Sequence, residues 1–267
     1  MIMNNVNGIT EAEIKASCCE LNDIDPDETL DFDIVVVGAG AAGVPAAGVA
    51  AEVGAKVALL QKEPAVVSQG NCASAIIKSR STEAGIAKWI HHTNSLCDWR
   101  ADTKQLRAYA DHSEEAMMWV LNRSGMTKET EYGDGSKVDS NEKCSELLND
   151  GDKLRAFIST SGDFTGLWKD REKTYDYGDD HCYFMAPWVG PKPLNVGSAL
   201  RRALENVQEK HPNLETFFST PAVKLITTGD KVTGIIGKNA KGKYIQFNAR
   251  KAVILATGDY TNNNAMV

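Results

Sequence analysis

Asp33-Ile34-Val35-Val36-Val37-Gly38-Ala39-Gly40-Ala41-Ala42-Gly43 is the stretch that decides the fold. Four apolar residues in a row, Ile34 to Val37, three of them valine, suit a strand covered on both faces of a parallel sheet. The run breaks into Gly-x-Gly-x-x-Gly and continues as Val44-Pro45-Ala46-Ala47-Gly48-Val49-Ala50-Ala51, a helix of small residues. Pro45 falls in its first turn, where proline is tolerated. Gly38 permits the tight turn out of the strand, Gly40 lets backbone approach a pyrophosphate, and Gly43 lets the helix pack closely on the sheet. The ligand's negative charge would then rest at the positive end of the helix. The helix is expected to end near Gly54, and Lys56-Val57-Ala58-Leu59-Leu60 reads as the second strand. A glycine motif alone is weak. Flanked by a strand, a helix and a further strand, it reads as a dinucleotide-binding β-α-β unit and not as a merely glycine-rich turn.

At the end of that second strand such folds usually place an Asp or Glu that accepts hydrogen bonds from ribose hydroxyls. Gln61 stands there instead, an uncharged and weaker acceptor, and Glu63 lies two residues on. The loop from Lys62 to Ile76 carries a small polar core, Gln69-Gly70-Asn71-Cys72, suited to backbone lying along a ligand.

A chain of 267 residues with 42% hydrophobic and 24% charged content can bury a large core. A formal net charge of -7 and a pI near 5.3 argue against a nucleic-acid surface or an anionic-membrane binder. No stretch approaches a membrane span in length. Residues 1–30 are polar and acidic, with neither a basic-then-apolar signal nor a twin arginine, so a cytoplasmic protein is expected. The acidic run near Asp25 and Asp27 lacks the spacing of a calcium loop and reads as a solvated lead-in. The six cysteines, Cys18, Cys19, Cys72, Cys97, Cys144 and Cys182, match no zinc spacing and read as reduced thiols; no metal site is expected.

Ser81-Thr82 should cap a helix from about Glu83 to Ser95. Thr103 starts another, with Leu106, Ala110, Met117, Val120 and Leu121 near one face and Gly125 as its stop. His91, His92 and His112 fall on these helices and read as packing or exposed residues. Residues 127–195 read as a loop-rich insertion; at its end an Asp180-His181 pair beside aromatics could serve as an acid–base element. An amphipathic helix follows at Val196 to Glu209, with Leu200, Leu204 and Val207 at helical spacing. The remainder is β-rich: short strands at Thr216 to Phe218 and Ala222 to Thr228, a hairpin of Val232 to Gly237 with Tyr244 to Asn248, then a fully buried strand Ala252 to Ala256 that breaks into Thr257-Gly258-Asp259.

Together, Gly38-x-Gly40-x-x-Gly43, Gln69-Gly70-Asn71-Cys72, the β-meander and Ala252-Val253-Ile254-Leu255-Ala256-Thr257-Gly258 resemble the FAD-dependent fumarate reductase and succinate dehydrogenase flavoprotein family. That family includes urocanate reductases and 3-ketosteroid dehydrogenases. The resemblance covers roughly Asp31 to Met266. It implies an α/β Rossmann-like FAD-binding domain, a parallel sheet with helices plus a β-meander, over residues 31–267, truncated before the family's capping domain. It also implies that Gly38, Ala39, Gly40, Ala41, Ala42 and Gly43 hold the FAD pyrophosphate, and that Gln61 and Lys62 stand at the ribose. Gly70, Asn71 and Cys72 would run along the cofactor, Ala222 and Val223 lie by the adenine, and Ala256, Thr257 and Gly258 close over the dinucleotide. Asn263 and Met266 match residues that often follow. Gln61, Gln69, Asp259 and the Ile76-Ile77 pair depart from the family's usual residues.

The family's chemistry acts on a C=C bond next to a carbonyl or carboxylate, so the implied partners are a small-molecule unsaturated acceptor or donor and an unidentified electron donor. The catalytic residues in the family follow the Ala-Thr-Gly segment, and so would lie beyond Val267. Two other readings stand beside this one: a flavin-binding module that needs a further chain segment, and an NAD(P)-dependent dehydrogenase read from the first motif alone.

Overall fold

The computed structural model describes residues 24–68, 74–124, 173–185 and 196–259. In chain order its elements are β1 (Glu28–Val37), α1 (Gly43–Glu52), β2 (Val57–Leu60), β3 (Ala75–Ile76), a 3-10 turn (Lys78–Arg80), α2 (Glu83–Leu96), α3 (Thr103–Ser124), β4 (Lys173–Tyr177), β5 (Asp180–Met185), α4 (Val196–Lys210), β6 (Leu214–Phe217), β7 (Ala222–Thr228), β8 (Lys231–Lys238) and β9 (Tyr244–Leu255). They fall into two compact units, Met1–Ala65 with Asn213–Val267, and Val66–Pro212.

The first unit is a six-stranded sheet in the order β6-β2-β1-β9-β8-β7. β6, β2, β1 and β9 run parallel, while β9-β8 and β8-β7 are antiparallel. The expected parallel sheet and meander are thus one mixed sheet, joined through β9. Val35, Val36, Val57, Ala58, Leu59 and Leu60 are buried, as apolar runs in central parallel strands should be. One core cluster gathers Phe32, Val35, Val37, Ala58, Leu60, Ile235, Ile245, Phe247 and Ala249. Phe217 meets Phe247 edge-on at 4.8 Å and Phe32 edge-on at 6.0 Å between ring centres. Each such pair adds about 0.5–1.5 kcal/mol to plain burial.

Two details differ from the sequence reading. β1 begins at Glu28, inside the expected lead-in, because β9 is long enough to pair with it there. Glu28 stands opposite Ile245, and Asp27 exchanges hydrogen bonds with the Tyr244 backbone, its carboxylate accepting from the Tyr244 N–H at 2.8 Å. Second, Tyr244 to Asn248 and Ala252 to Leu255 form one continuous strand, and its far end is not fully buried. Val253 and Ile254 are half-buried and Leu255 is 57% exposed, since α1 packs chiefly on β2 and β1.

α1 buries Gly43, Val44, Ala47, Gly48, Ala50 and Ala51, and its small side chains let it lie close to the sheet. It ends as expected at Gly54, whose φ of +89° suits glycine, with the Gly54 N–H on the Ala51 carbonyl. Asn213 then donates to the Ala51 and Ala55 carbonyls at 2.9 and 2.7 Å, tying the start of β6 to the end of α1.

In the second unit β3, β5 and β4 form a small antiparallel sheet, so part of the expected loop-rich insertion is a hairpin. The rest of 127–172 and 186–195 lies outside the described residues, as does Gly125. Ile76, Ile86, Trp89, Ala110 and Cys182 form the core cluster. α3 buries Ala110, Ser113, Met117, Val120 and Ser124, while Leu106 is half-buried. α4 buries Ala199, Leu200, Ala203, Leu204 and Val207 and packs on α3.

Candidate cofactor-binding site

The carboxyl ends of β2, β1 and β9 lie side by side, and the glycine loop leaves the middle one. The Gly38 N–H donates to the Leu60 carbonyl at 2.7 Å on one side, and the Ala256 N–H donates to the Val37 carbonyl at 2.8 Å on the other. The two motifs, more than 200 residues apart in the chain, thus meet through backbone at the ends of adjacent strands.

The glycines are required by space. Gly38 has φ +101°, and a Cβ there would stand 2.3 Å from the Ala256 carbonyl oxygen. A Cβ on Gly43 would stand 1.7 Å from the Gly38 carbonyl oxygen. Ala39 is fully buried, Gly40 is half-buried, and Ala41 and Ala42 are exposed at the start of α1. The Val44 N–H opens the helical ladder on the Gly40 carbonyl at 3.1 Å. No side chain caps the helix at Ala42, and its first turn carries no acid. A helix start left open, without a competing carboxylate, fits a pyrophosphate. Thr257 and Gly258 are exposed beyond β9, and Gly258 has φ +77°, a turn that suits its glycine.

Gln61 is only 8% exposed, and its side chain is used within its own turn. Its Oε1 accepts from the Lys62 N–H at 3.0 Å, and its Nε2 donates to the Ala65 carbonyl at 3.4 Å. Its backbone is held by the connection after β6: the Gln61 N–H donates to the Phe217 carbonyl, and the Thr220 N–H to the Gln61 carbonyl at 2.8 Å. The Ser219 N–H donates to the Glu63 carbonyl at 3.0 Å, with Ser219 at φ +50°. The Lys238 N–H donates to the Pro221 carbonyl, and Ala222 pairs with Gly237. The structure therefore brings the end of β2, with Gln61 and Lys62, beside the segment leading to Ala222 and Val223. The Ser219-Thr220 clip had no sequence signal, since nothing in those residue types announces a left-handed serine. Gly70, Asn71 and Cys72 lie outside the described residues, as do Asn263 and Met266.

The Asp180-His181 pair is not arranged for acid–base work between its members. Asp180 pairs with Lys88 at 2.8 Å, while the His181 backbone is clamped to Thr82 and its side chain is exposed. Nearby, burial pushes the Cys182 thiol up to about 11, opposed by a Ser81 hydrogen bond, which keeps it protonated and inert. Among the described residues no group of His, Cys, Asp or Glu could hold a metal ion, and no helix is long and apolar enough to cross a membrane.

Among curated proteins the chain is 24% identical over 244 residues to the NADH:fumarate oxidoreductase of Klebsiella pneumoniae (strain 342), covering 88% of this chain and 21% of that protein. It is 25% identical over 244 residues to the vinyl phenol reductase of Lactiplantibacillus plantarum, covering 88% of this chain and 39% of that protein. The chain thus spans about a fifth and two fifths of the length of these relatives. Among solved structures, the 3-ketosteroid-delta4-(5alpha)-dehydrogenase from Rhodococcus jostii RHA1 has the same fold at TM-score 0.54 and 19% identity, over 92% of this chain and 49% of that one. A FrdA variant of E. coli quinol fumarate reductase matches at TM-score 0.53 and 18% identity, over 86% and 33% of the two chains. The family model described as FAD binding domain matches residues 33–267, from the first residues of the glycine-loop stretch to the end of the chain, and the chain belongs to that FAD-binding oxidoreductase family.

Proposed function

We propose that this chain is the cofactor-binding portion of a flavin-dependent oxidoreductase acting on a C=C bond next to an electron-withdrawing carbonyl or carboxylate. The observation that carries the reading is the meeting of the glycine loop with Ala256 at the ends of β1 and β9, packed so closely that a Cβ added at Gly38 or Gly43 would collide with backbone carbonyl oxygens. FAD, when bound, would carry two electrons as hydride from an external donor to one carbon of the double bond, with a proton completing the other. The described residues would do the binding part: Gly38 and Gly43 set the loop, and the uncapped start of α1, with Thr257 and Gly258, would hold the pyrophosphate. The names of the two curated relatives, a fumarate oxidoreductase and a vinyl phenol reductase, both support chemistry at a C=C bond; fumarate supports a neighbouring carboxylate, whereas a vinyl phenol carries its alkene on an aromatic ring.

The test has two stages. The purified chain is titrated with FAD and with NAD, and FAD alone is expected to raise its melting temperature. Flavin reduced chemically without oxygen is then offered fumarate, urocanate, a vinyl phenol and an enone steroid. We expect binding without rapid reoxidation from this chain by itself, and rapid reoxidation from the vinyl phenol reductase of Lactiplantibacillus plantarum treated in the same way with a vinyl phenol. A chain stabilised by NAD and not by FAD would refute the reading.

A further inference from the structure

Gln61 occupies the place where a ribose-binding acid is expected, yet its side chain is buried and both ends of its amide are engaged inside the Gln61–Ala65 turn. Glu63 is different. It is exposed, lies twenty residues past Gly43, and has its backbone fixed by the Ser219 N–H at 3.0 Å. Its carboxylate makes no hydrogen bond or ion pair among the described residues. Separations of about twenty residues from the glycine fingerprint are where dinucleotide folds carry the ribose acid.

We propose that Glu63, and not Gln61, accepts the hydroxyls of the adenosine ribose, with Gln61 as a positioning residue that shapes the turn presenting it. The inference rests on the flavin-binding reading above. Physically, a carboxylate is the stronger acceptor for two vicinal hydroxyls, and this one is not tied to a competing donor. Gln61 cannot turn outward without abandoning the Lys62 N–H and the Ala65 carbonyl. Gln61→Glu would set a carboxylate against the Ala65 carbonyl and so should not tighten binding, contrary to what the family position alone suggests.

The test is a cycle between side chain and ligand: calorimetric titration of the wild-type chain and of Glu63→Gln with ADP and with 2′,3′-dideoxy-ADP, which lacks both hydroxyls. The wild type should lose about five- to tenfold in affinity on removal of the hydroxyls, as for hydrogen bonds to a partly solvated charged acceptor. Glu63→Gln should bind ADP about as weakly as the wild type binds the dideoxy ligand and should barely distinguish the two. A purely structural role for Glu63 would weaken both ligands alike and leave the ratio intact, which overturns the proposal. So would a Gln61→Glu variant that binds ADP more tightly than wild type. Failure of the wild-type chain to bind either FAD or ADP would instead overturn the functional reading, and this inference with it.

Discussion

Each unit contains a helix whose first turn is pressed against other backbone, and the two contacts differ in how the sequence announces them. At Gly43 the obstacle to a side chain is the Gly38 carbonyl oxygen, 1.7 Å from where a Cβ would be. At Gly85, in α2, it is the His181 carbonyl oxygen, 2.0 Å away. The first contact is local and written in a recognisable motif. The second joins residues 96 positions apart, and a glycine three residues past a capping threonine looks like any other helix glycine. Around them the cohesion also differs. The first unit is stitched by apolar and aromatic burial across a sheet. The second relies on polar side chains that bridge distant backbone. Thr82 Oγ1 accepts from the Gly85 and His181 N–H groups, Ser81 Oγ accepts from the Tyr183 N–H, and Ser113 Oγ accepts from the buried Ile76 N–H at 2.9 Å.

If that contrast is right, truncating an aromatic in the sheet core should cost most. Phe247 is fully buried and touches both Phe32 and Phe217. Phe247→Ala should destabilise the first unit by about 3–5 kcal/mol, by loss of transfer energy plus a cavity. Urea unfolding followed by circular dichroism measures it. A cost near 1 kcal/mol would mean that the meander packs loosely on the rest of the sheet.

Gly85→Ala comes next. The new methyl would meet rigid backbone, so α2 must move away from β5, at a cost of about 1–3 kcal/mol for overpacking. Faster exchange of the amides of Thr82 and His181, whose backbones are hydrogen-bonded to each other at 2.9 Å, should accompany it. Unchanged exchange would show that the two backbones are not in contact.

These differences explain what was legible in the sequence. The β-α-β unit was, because its strands are apolar throughout and its glycines answer to one ligand geometry. The cap at Thr82 and the ends of α1, α2 and α4 were, because capping and periodicity are local. The fused β9 was not: Arg250-Lys251 looks like a break between two strands, but both lie exposed while the backbone runs on beside β1. The early start of β1 was hidden because its pairing partner lies 217 positions away, as Glu28 opposite Ile245 shows. Gln61 stood at the position that fold geometry names, and only its two contacts inside the turn show that its amide is already used.

Removing a polar bridge without adding bulk sharpens the comparison. Thr82→Ala deletes the N-cap acceptor of α2 and the partner of the His181 N–H in one step. The cap alone is worth about 1 kcal/mol, and a second unmet donor should bring the loss toward 2. Thr82→Ser keeps the oxygen and should recover most of it in the same denaturation experiment. Equal losses in both variants would assign the effect to the methyl group's packing.

The smallest expected effect concerns charge. Arg107 grips Asp111 with two hydrogen bonds at 2.7 and 2.9 Å and also reaches Glu83, while Lys78 adds a third contact to Asp111 at 2.6 Å. The Arg107 hydrogen bonds, then that from Lys78, hold the Asp111 carboxyl well below the usual carboxylate range. A depressed folded-state value means that the unfolded chain takes up the proton first as pH falls. The stabilisation is therefore fully present above the ordinary aspartate value of about 3.9 and is lost progressively at lower pH. The Arg107 side chain is 38% exposed, so solvent and salt screen the pair and the neutral-pH contribution is modest. Asp111→Asn should lower the melting temperature of the second unit slightly at pH 7, less so in 0.5 M salt, and by less at pH 2 than at pH 7, because part of the wild-type advantage has been lost by then. The diagnostic is the converging pair of melting curves on acidification. Curves that stay parallel from pH 7 to pH 2 would mean that Asp111 acts through shape and not through charge, and would leave the buried Ser113 and the half-buried Ser81 and Thr82 hydroxyls as the main polar ties of that unit.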